Sequence, residues 1–363
     1  MAHHTRSTRR QFLARSAAGA ALVSQTPYIV TARRTARPII VGDGPYRYEV
    51  QHAWPQLPDK FTWQTTHNVA IDRDGFLYVI HEGRAQLKDH PSIFVFDPEG
   101  RYVRSFGQQF QGGGHGLEVR QEGKEQFLYV CAYQHLKTFA KLDLKGETVW
   151  QRYAPMDSGV YAKDEDTKRR RVWGRDRFLP TNTAFLDNGE FLIADGYGSY
   201  YIHHYDRNAE WKGCFGGPGK GKGKFNLPHG IWVDRRNDQA PRIAVCDRAN
   251  NTVQYFSLDY QYQETLAGYG LPANLDTWND LIVVPELVAR VTLLDRNNRV
   301  VARLGSDVER LKADKKHEIR RHEESWHAGK FIHPHDACFD QHGNIYVAEW
   351  VATGRVTRLR RVD

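Results

Sequence analysis

Cysteine is scarce: the 363 residues hold four, Cys131, Cys214, Cys246 and Cys338, and no two stand at the short spacing of a zinc knuckle or a redox pair. That excludes a metal or redox site built on neighbouring cysteines. Three of the four lie inside apolar runs (LYVC, IAVC, DACF), where a small buried hydrophobe is expected; no disulfide pairing is legible. No apolar run is long enough to span a membrane. An excess of positive charge is also missing where it would matter. The net charge is +8, but seven arginines (Arg6, Arg9, Arg10, Arg15, Arg33, Arg34, Arg37) precede residue 38 with no acid among them, and the remainder carries about +1. Such a balance gives no electrostatic reason to expect nucleic acid or an anionic membrane as partner. The stretch GGPGKGKG at 216–223 lacks the GxxxxGKS/T order and the following helix of a phosphate loop, so it reads as a flexible connection.

What the chain does have is 12% aromatic and 26% charged residues, the make-up of an ordinary folded protein. Residues 8–14 read TRRQFLA and are followed by the small, weakly apolar run SAAGAALV. This is the pattern of a twin-arginine export signal, read by a receptor rather than used as an anchor. Residues 1–37 are therefore expected to be a signal segment, with the protein exported to the periplasm or beyond, and residues 38–363 to be the folded domain.

That domain is organised by a repeat. Residues 331–347, FIHPHDACFDQHGNIYV, combine an apolar strand, an Asp-Gly-type turn and a second apolar strand, and five similar units precede them at intervals of 40–65 residues. Short strands, Gly-rich turns and a period in that range predict an all-β, six-bladed β-propeller. The units begin at Thr66-His67, Gly114-His115, Thr181-Asn182, Pro228-His229, Pro272-Ala273 and Pro334-His335. Blades are expected at 65–106, 114–152, 180–215, 228–266, 272–304 and from 334 onward. The last unit lacks a fourth strand, and the alternating stretch 46–54 (YRYEVQHAW) is expected to supply it and close the ring.

One position repeated on the innermost strands forms a ring around the channel, expected to hold His67, His115, Asn182, His229, Ala273 and His335. Three neutral imidazoles with one open place are the usual catalytic zinc arrangement. Which three of the four histidines bind stays open at this point, and the plainer alternative is imidazoles packed in the channel with water. The ends of the second strands give a further set. Asp195, Asp247, Glu286 and Glu349 are read as acceptors for neighbouring turns, and Tyr197 and Arg248, which follow two of these acids, as reactive or substrate-holding groups. Two charged insertions, 156–177 and 307–330, read as solvated faces or as a lid over the channel; the second has the composition of an exposed helix.

The blades resemble NHL repeats, most clearly at CDRANNTVQYF (246–256), and blades 1 to 6 together resemble the lyase domain of peptidylglycine alpha-amidating enzymes. The resemblance implies a propeller with a catalytic zinc on three histidines, a structural calcium and a catalytic tyrosine. Its zinc ligands fall on His115 in GGHGLEV, His229 in NLPHGIWV and His335 in HPHDACF, and its tyrosine on Tyr197 in ADGYG. Its calcium ligands fall on the Asp336 carboxylate and the backbone carbonyls of Val69 and Leu117, and an active-site arginine falls on Arg248. Where that family has a substrate-holding arginine in blade 1 this chain has Glu82, with Arg84 two residues on. His67 is an additional imidazole, the family's disulfide cysteines are replaced at Gly198 and Ala244, and no stretch reads as the accompanying copper monooxygenase domain. The expectation is an exported, monomeric, zinc-dependent lyase acting on a peptide or small molecule, with a binding platform and a metal-dependent lactonase as the alternatives.

Overall fold

The computed structural model describes residues 37–84, 86–87, 89–168 and 170–362, so the signal segment at 1–36 lies outside the described residues. Pro38–Asp363 forms one compact unit. Within it, strands start where an aspartate staples the turn before them. Asp97 Oδ1 accepts the N–H groups of Glu99 and Arg101, and Asp143, Asp206, Asp295 and Asp340 each do the same two and four residues on. The carboxylate takes turn amides that would otherwise lack a partner, which is why such turns recur in five of the six blades; in blade 4 the Ser257 Oγ accepts the Gln261 N–H instead.

Six antiparallel sheets result. Blade 1 runs Thr66–Ile71, Leu77–His81, Ile93–Phe96 and Tyr102–Phe106. Blade 2 runs Gly114–Glu122, Glu125–Tyr133, Lys137–Asp143 and Thr148–Arg152, and blade 3 runs Asn182–Phe185, Phe191–Ala194, Tyr201–Tyr205 and Trp211–Gly216. Blade 4 is Pro228–Asp234, Arg242–Asp247, Thr252–Phe256 and Tyr262–Ala267; blade 5 is Asp276–Trp278, Leu281–Glu286, Arg290–Leu294 and Val300–Leu304. Blade 6 takes Pro334–Phe339, Ile345–Glu349 and Arg355–Val362 from the end of the sequence. Its fourth strand is Arg47–Gln51, paired antiparallel with Arg355–Val362, and Ile40–Val41 adds a short fifth. The six-bladed propeller closed by an N-terminal strand is thus observed.

The second strands are apolar throughout because both faces are covered. Leu77–His81 is buried at all five positions, whereas the outer strand Tyr262–Ala267 alternates between half-buried and exposed. Six apolar clusters, one per cleft between neighbouring blades, form the core. At roughly 1.5–3 kcal/mol per buried Val, Leu, Ile or Phe, these clefts rather than any single blade hold the ring together. The four cysteines are free, and Cys131, Cys246 and Cys338 are buried as expected.

Neither insertion is a freely solvated charge run. In the first, Glu165 is buried against Lys137 in an ion pair, accepts from Arg177 Nη1 at 3.2 Å and from the Phe178 N–H at 3.1 Å. Tyr161 donates to Asp195 Oδ2 at 2.8 Å and meets His203 Nε2 at 2.6 Å. The second insertion differs from the helix its composition predicts: only Val308–Ala313 is α-helical, followed by single turns at Ile319–Arg321 and Glu323–Ser325. Leu311, Ile319 and Trp326 pack on Ala289, Ile332 and Val351, so packing on the propeller face rather than helical periodicity sets its shape. No helix among the described residues is long and apolar enough to cross a membrane.

Candidate metal centre

Each of the four histidines sits at a β-bulge. Thr66 pairs with His81 and Asn68 with Ile80, so His67 is an extra residue with no partner across the ladder. Pro334 and Asp336 pair with Glu349 and Ala348 on either side of His335, and the same one-residue shift occurs around His115 and His229. A bulge re-aims its extra residue, and here it turns four imidazoles toward one point. The ring centroids of the His67/His115, His67/His335, His115/His229 and His229/His335 pairs lie 4.6–4.7 Å apart, and those of His115/His335 4.9 Å.

The pairing also moves one predicted ring position. Asn182 pairs with Ala194 as Asn68 pairs with Ile80 and Asp336 with Ala348. The blade 3 residue level with the histidines is therefore Thr181. Its carbonyl confirms the level, because three imidazoles are oriented by the following ring carbonyl. His115 Nδ1 donates to Thr181 O at 2.8 Å, His229 Nδ1 to Ala273 O at 2.7 Å and His335 Nδ1 to His67 O at 2.9 Å. A carbonyl only accepts, so the proton is on Nδ1 and the lone pair on Nε2, the form that ligates a metal. Burial holds all three well below the usual imidazole pKa, so they are neutral.

His67 differs: both of its ring nitrogens are buried without a hydrogen-bond partner, and Glu82 Oε2 lies 3.7 Å from its Nε2. Nitrogen atoms of His67, His115 and His335 all lie within 4.8 Å of one another. His229 Nε2 lies 3.1 Å from His115 Nε2. His115 and His335 lie in that close cluster with His67, and they also group with His229, whose ring centroid is 4.7 Å from each of theirs.

Tyr197 reaches the group that contains His229. Its phenol oxygen is 3.2 Å from His115 Nε2 and 3.1 Å from His229 Nε2, and accepts from Arg248 Nη1 at 3.2 Å. Arg248 Nη2 also lies 3.3 Å from His335 Nε2. The turn that presents Tyr197 is held by Asp195, which accepts from the Leu179 and Ser199 N–H groups. A side chain at Gly198 would sit 2.2 Å from that carboxylate, and one at Gly196 2.2 Å from Pro228 O; only glycines flank the tyrosine so closely. Burial raises the Tyr197 pKa, and Arg248 offsets part of that rise. Arg248 alone therefore does not bring the phenol into the neutral range.

Asp247, Glu286 and Glu349 act structurally, like Asp195: they accept from Asn226 N, Gly270 N and Ile332 N respectively. Arg84 is not brought to the site. It is exposed on a turn that Gly83, at φ 76°, directs outward, with its N–H bonded to Gln111 Oε1 at 2.7 Å.

Two cavities flank the ring. One, of about 410 Å³, is lined by Glu82, Tyr133, Arg171, Trp173, Tyr197, Arg248, Leu287, His335 and Trp350. The other, of about 270 Å³, includes Val69, Glu118, Asn274, Asp276 and Asp336 in its lining. Here Asp336 accepts from the Val69 N–H at 2.8 Å and from Asn274 Nδ2 at 2.6 Å, while Asn274 Oδ1 is buried without a partner. N–H and C=O of a strand residue leave the same edge, so the Val69 carbonyl shares that channel-facing edge. Burial pushes the carboxyls of Asp336 and Asp276 up to about 7, and burial with these two neighbours raises Glu118 well above its usual value. Sequence reading missed Glu118 and Asp276. Both stand three residues after the ring position of their blades, so the register that found the histidines also locates them.

No protein family profile matches the chain. Among curated proteins it is similar to human NHL repeat-containing protein 3, 26% identical over 216 residues, which are 58% of this chain and 57% of that one. It is also similar to peptidyl-alpha-hydroxyglycine alpha-amidating lyase 1 of Drosophila melanogaster, 25% identical over 256 residues, 61% of this chain and 43% of that one. The aligned part thus spans about half the length of these relatives. The fold is shared with a gluconolactonase from Xanthomonas campestris (TM-score 0.56, 11% identity, 90% of this chain and 96% of that chain). It is shared also with virginiamycin B lyase from Staphylococcus aureus (TM-score 0.54, 11% identity, 86% and 100%).

Proposed function

We propose that this chain is an exported, monomeric, zinc-dependent lyase that cleaves the C–N bond of a carbinolamide-type substrate. The observation that carries the reading is the phenol oxygen of Tyr197, within 3.2 Å of the Nε2 atoms of both His115 and His229 and bonded to Arg248. His115, His229 and His335 fit the metal because their protons are fixed on Nδ1 and their free Nε2 lone pairs converge in a buried, neutral cluster. When bound, zinc supplies Lewis acidity to a substrate oxygen and positive charge that lowers the pKa of groups beside it.

The chain's own groups do the rest. Tyr197, once ionised, takes the proton from the carbinol hydroxyl; the C–O bond becomes a carbonyl as the C–N bond breaks, and the nitrogen leaves to be protonated as the amide. Arg248 holds the phenolate oxygen in place and stabilises its charge. Glu118, Asp276 and Asp336, with the Val69 and Leu117 carbonyls, make an oxygen-only set suited to calcium. A cation there would sit one residue from the ligand His335 and fix the strand that carries it.

The test compares zinc content and turnover of a hydroxyglycine peptide. His229→Ala is expected to lose both, and Tyr197→Phe to keep zinc while losing turnover; an active Tyr197→Phe overturns the assignment. A second reading, metal-dependent lactone hydrolysis, is favoured by the Glu82 carboxylate at the cavity wall, and a lactone in the same assay separates the two. Export is tested by fusing residues 1–37 to a folded reporter and replacing Arg9 and Arg10 with lysine, which is expected to abolish translocation.

A further inference from the structure

The turn that carries Tyr197 is gripped by the first insertion. The Tyr197 N–H donates to Leu179 O at 3.2 Å, and the Tyr197 carbonyl accepts from Arg175 Nη2 at 3.2 Å. Both backbone groups of the proposed base are therefore bonded to the end of the insertion and the two residues after it. Arg175 also reaches the far side of the same turn, where its guanidinium lies 3.5 Å from the Tyr200 ring centre. The Leu179 N–H donates to Asp195 Oδ1 at 2.6 Å, so the carboxylate fixes Leu179 and Leu179 fixes Tyr197.

Asp195 is held in turn by a chain of hydrogen bonds in which each direction is forced. Trp211 Nε1 can only donate, and it does so to His203 Nδ1 at 3.2 Å. Burial lowers the His203 pKa to about 3, so the ring carries one proton, and the bond from Trp211 leaves that proton on Nε2. His203 Nε2 then donates to the Tyr161 oxygen at 2.6 Å, and the Tyr161 hydroxyl donates to Asp195 Oδ2 at 2.8 Å. The Ser199 N–H and Oγ donate to the same oxygen at 2.7 and 2.6 Å. His203, Asp195 and Ser199 are fully buried. A buried polar network whose members are all satisfied holds one arrangement. Tyr161 is its one member from the insertion, and it joins the outer strand of blade 3 to the Tyr197 turn.

We propose that Tyr161, His203 and Arg175 are positioning residues for Tyr197, holding its phenol oxygen in register with the histidine cluster from a distance. This rests on Tyr197 being the base of the proposed lyase, and it makes the first insertion part of the frame of the site. The phenol oxygen meets His115, His229 and Arg248 at 3.1–3.2 Å, and a misplacement of about 1 Å at such a group can cost about a hundredfold in rate.

The test places 3-fluorotyrosine at position 197 of the zinc-loaded protein and reads its fluorine resonance, with turnover of a hydroxyglycine peptide measured on the unlabelled variants. The parent protein is expected to give one sharp resonance. Tyr161→Phe, His203→Leu and Arg175→Met should each broaden it or add a second. Tyr161→Phe and His203→Leu are also expected to lower kcat about tenfold or more and to leave KM within about twofold, because the base moves while the substrate's walls do not. His203→Gln keeps an acceptor for Trp211 and a donor for Tyr161, and should restore the single resonance and most of the turnover that His203→Leu loses. Arg175→Met removes one bond from an exposed side chain, so it tests the grip even where His203→Leu fails to fold. An unchanged resonance in Tyr161→Phe and Arg175→Met overturns the proposal, as does broadening that His203→Gln does not reverse or a loss confined to KM. Broadened variants of a protein that turns over no hydroxyglycine peptide would leave the positioning standing and remove the lyase reading instead.

Discussion

Glu165→Ala isolates the buried charge that pins the first insertion. Glu165 is 2% exposed and its partner Lys137 3%, so removing the carboxylate strands an ammonium in the interior. Arg177, whose side chain is 21% exposed and lies 3.4 Å from Asp176, has an alternative partner; Lys137 has none among the described residues. Breaking one side of a buried pair costs about 3–5 kcal/mol. For a domain of roughly 300 residues that is a fall in melting temperature of about 5–8 °C. The double replacement Lys137→Met with Glu165→Leu removes both charges at similar volume and should recover most of the loss. Differential scanning calorimetry reads both. A single variant within 1 °C of wild type, or a double variant as unstable as the single, would refute the view that this pair anchors the insertion.

Other outcomes follow from the same geometry. His67→Ala should retain one zinc per chain, because the three oriented imidazoles remain; loss of metal on elemental analysis would point to the group formed by His67, His115 and His335. Gly230→Ala would place a methyl 2.4 Å from Asn274 Cα and 2.6 Å from Ala273 O, both backbone atoms. It is expected to cost about 3 kcal/mol in urea unfolding and to lower zinc affinity by displacing His229. Glu118→Gln should melt above wild type in chelator, since it removes a carboxyl that must take up a proton to be buried beside Asp276 and Asp336. It should also bind calcium roughly tenfold more weakly, because ligand charge sets affinity. Calcium titration followed by melting temperature checks both signs.

The propeller was legible because the blades repeat two local signals, a side-chain-stapled turn, by Asp in all but blade 4, and an apolar second strand, and both act within about fifteen residues of sequence. The histidines were legible because one register places them on one ring. The Asn182 assignment failed by one residue because a bulge adds a residue that spacing alone does not reveal; the pairing of Asn182 with Ala194 does. Which imidazoles are oriented was not readable at all, since each Nδ1 bond goes to a carbonyl of the next blade. The packing of the two insertions was hidden for a similar reason: they have the charge of solvated segments, and single residues without periodicity, among them Glu165, Tyr161 and Trp326, fix them to the ring.

The closing strand also orders events in time. Val50 meets Leu359 and Arg47 meets Val362 across more than three hundred positions, so blade 6 cannot be completed until residues 355–362 have left the ribosome. His335 is on that blade. The candidate metal centre therefore comes together only when the ring shuts, and if the proposed zinc site is correct, an incomplete or opened chain is expected to retain no zinc.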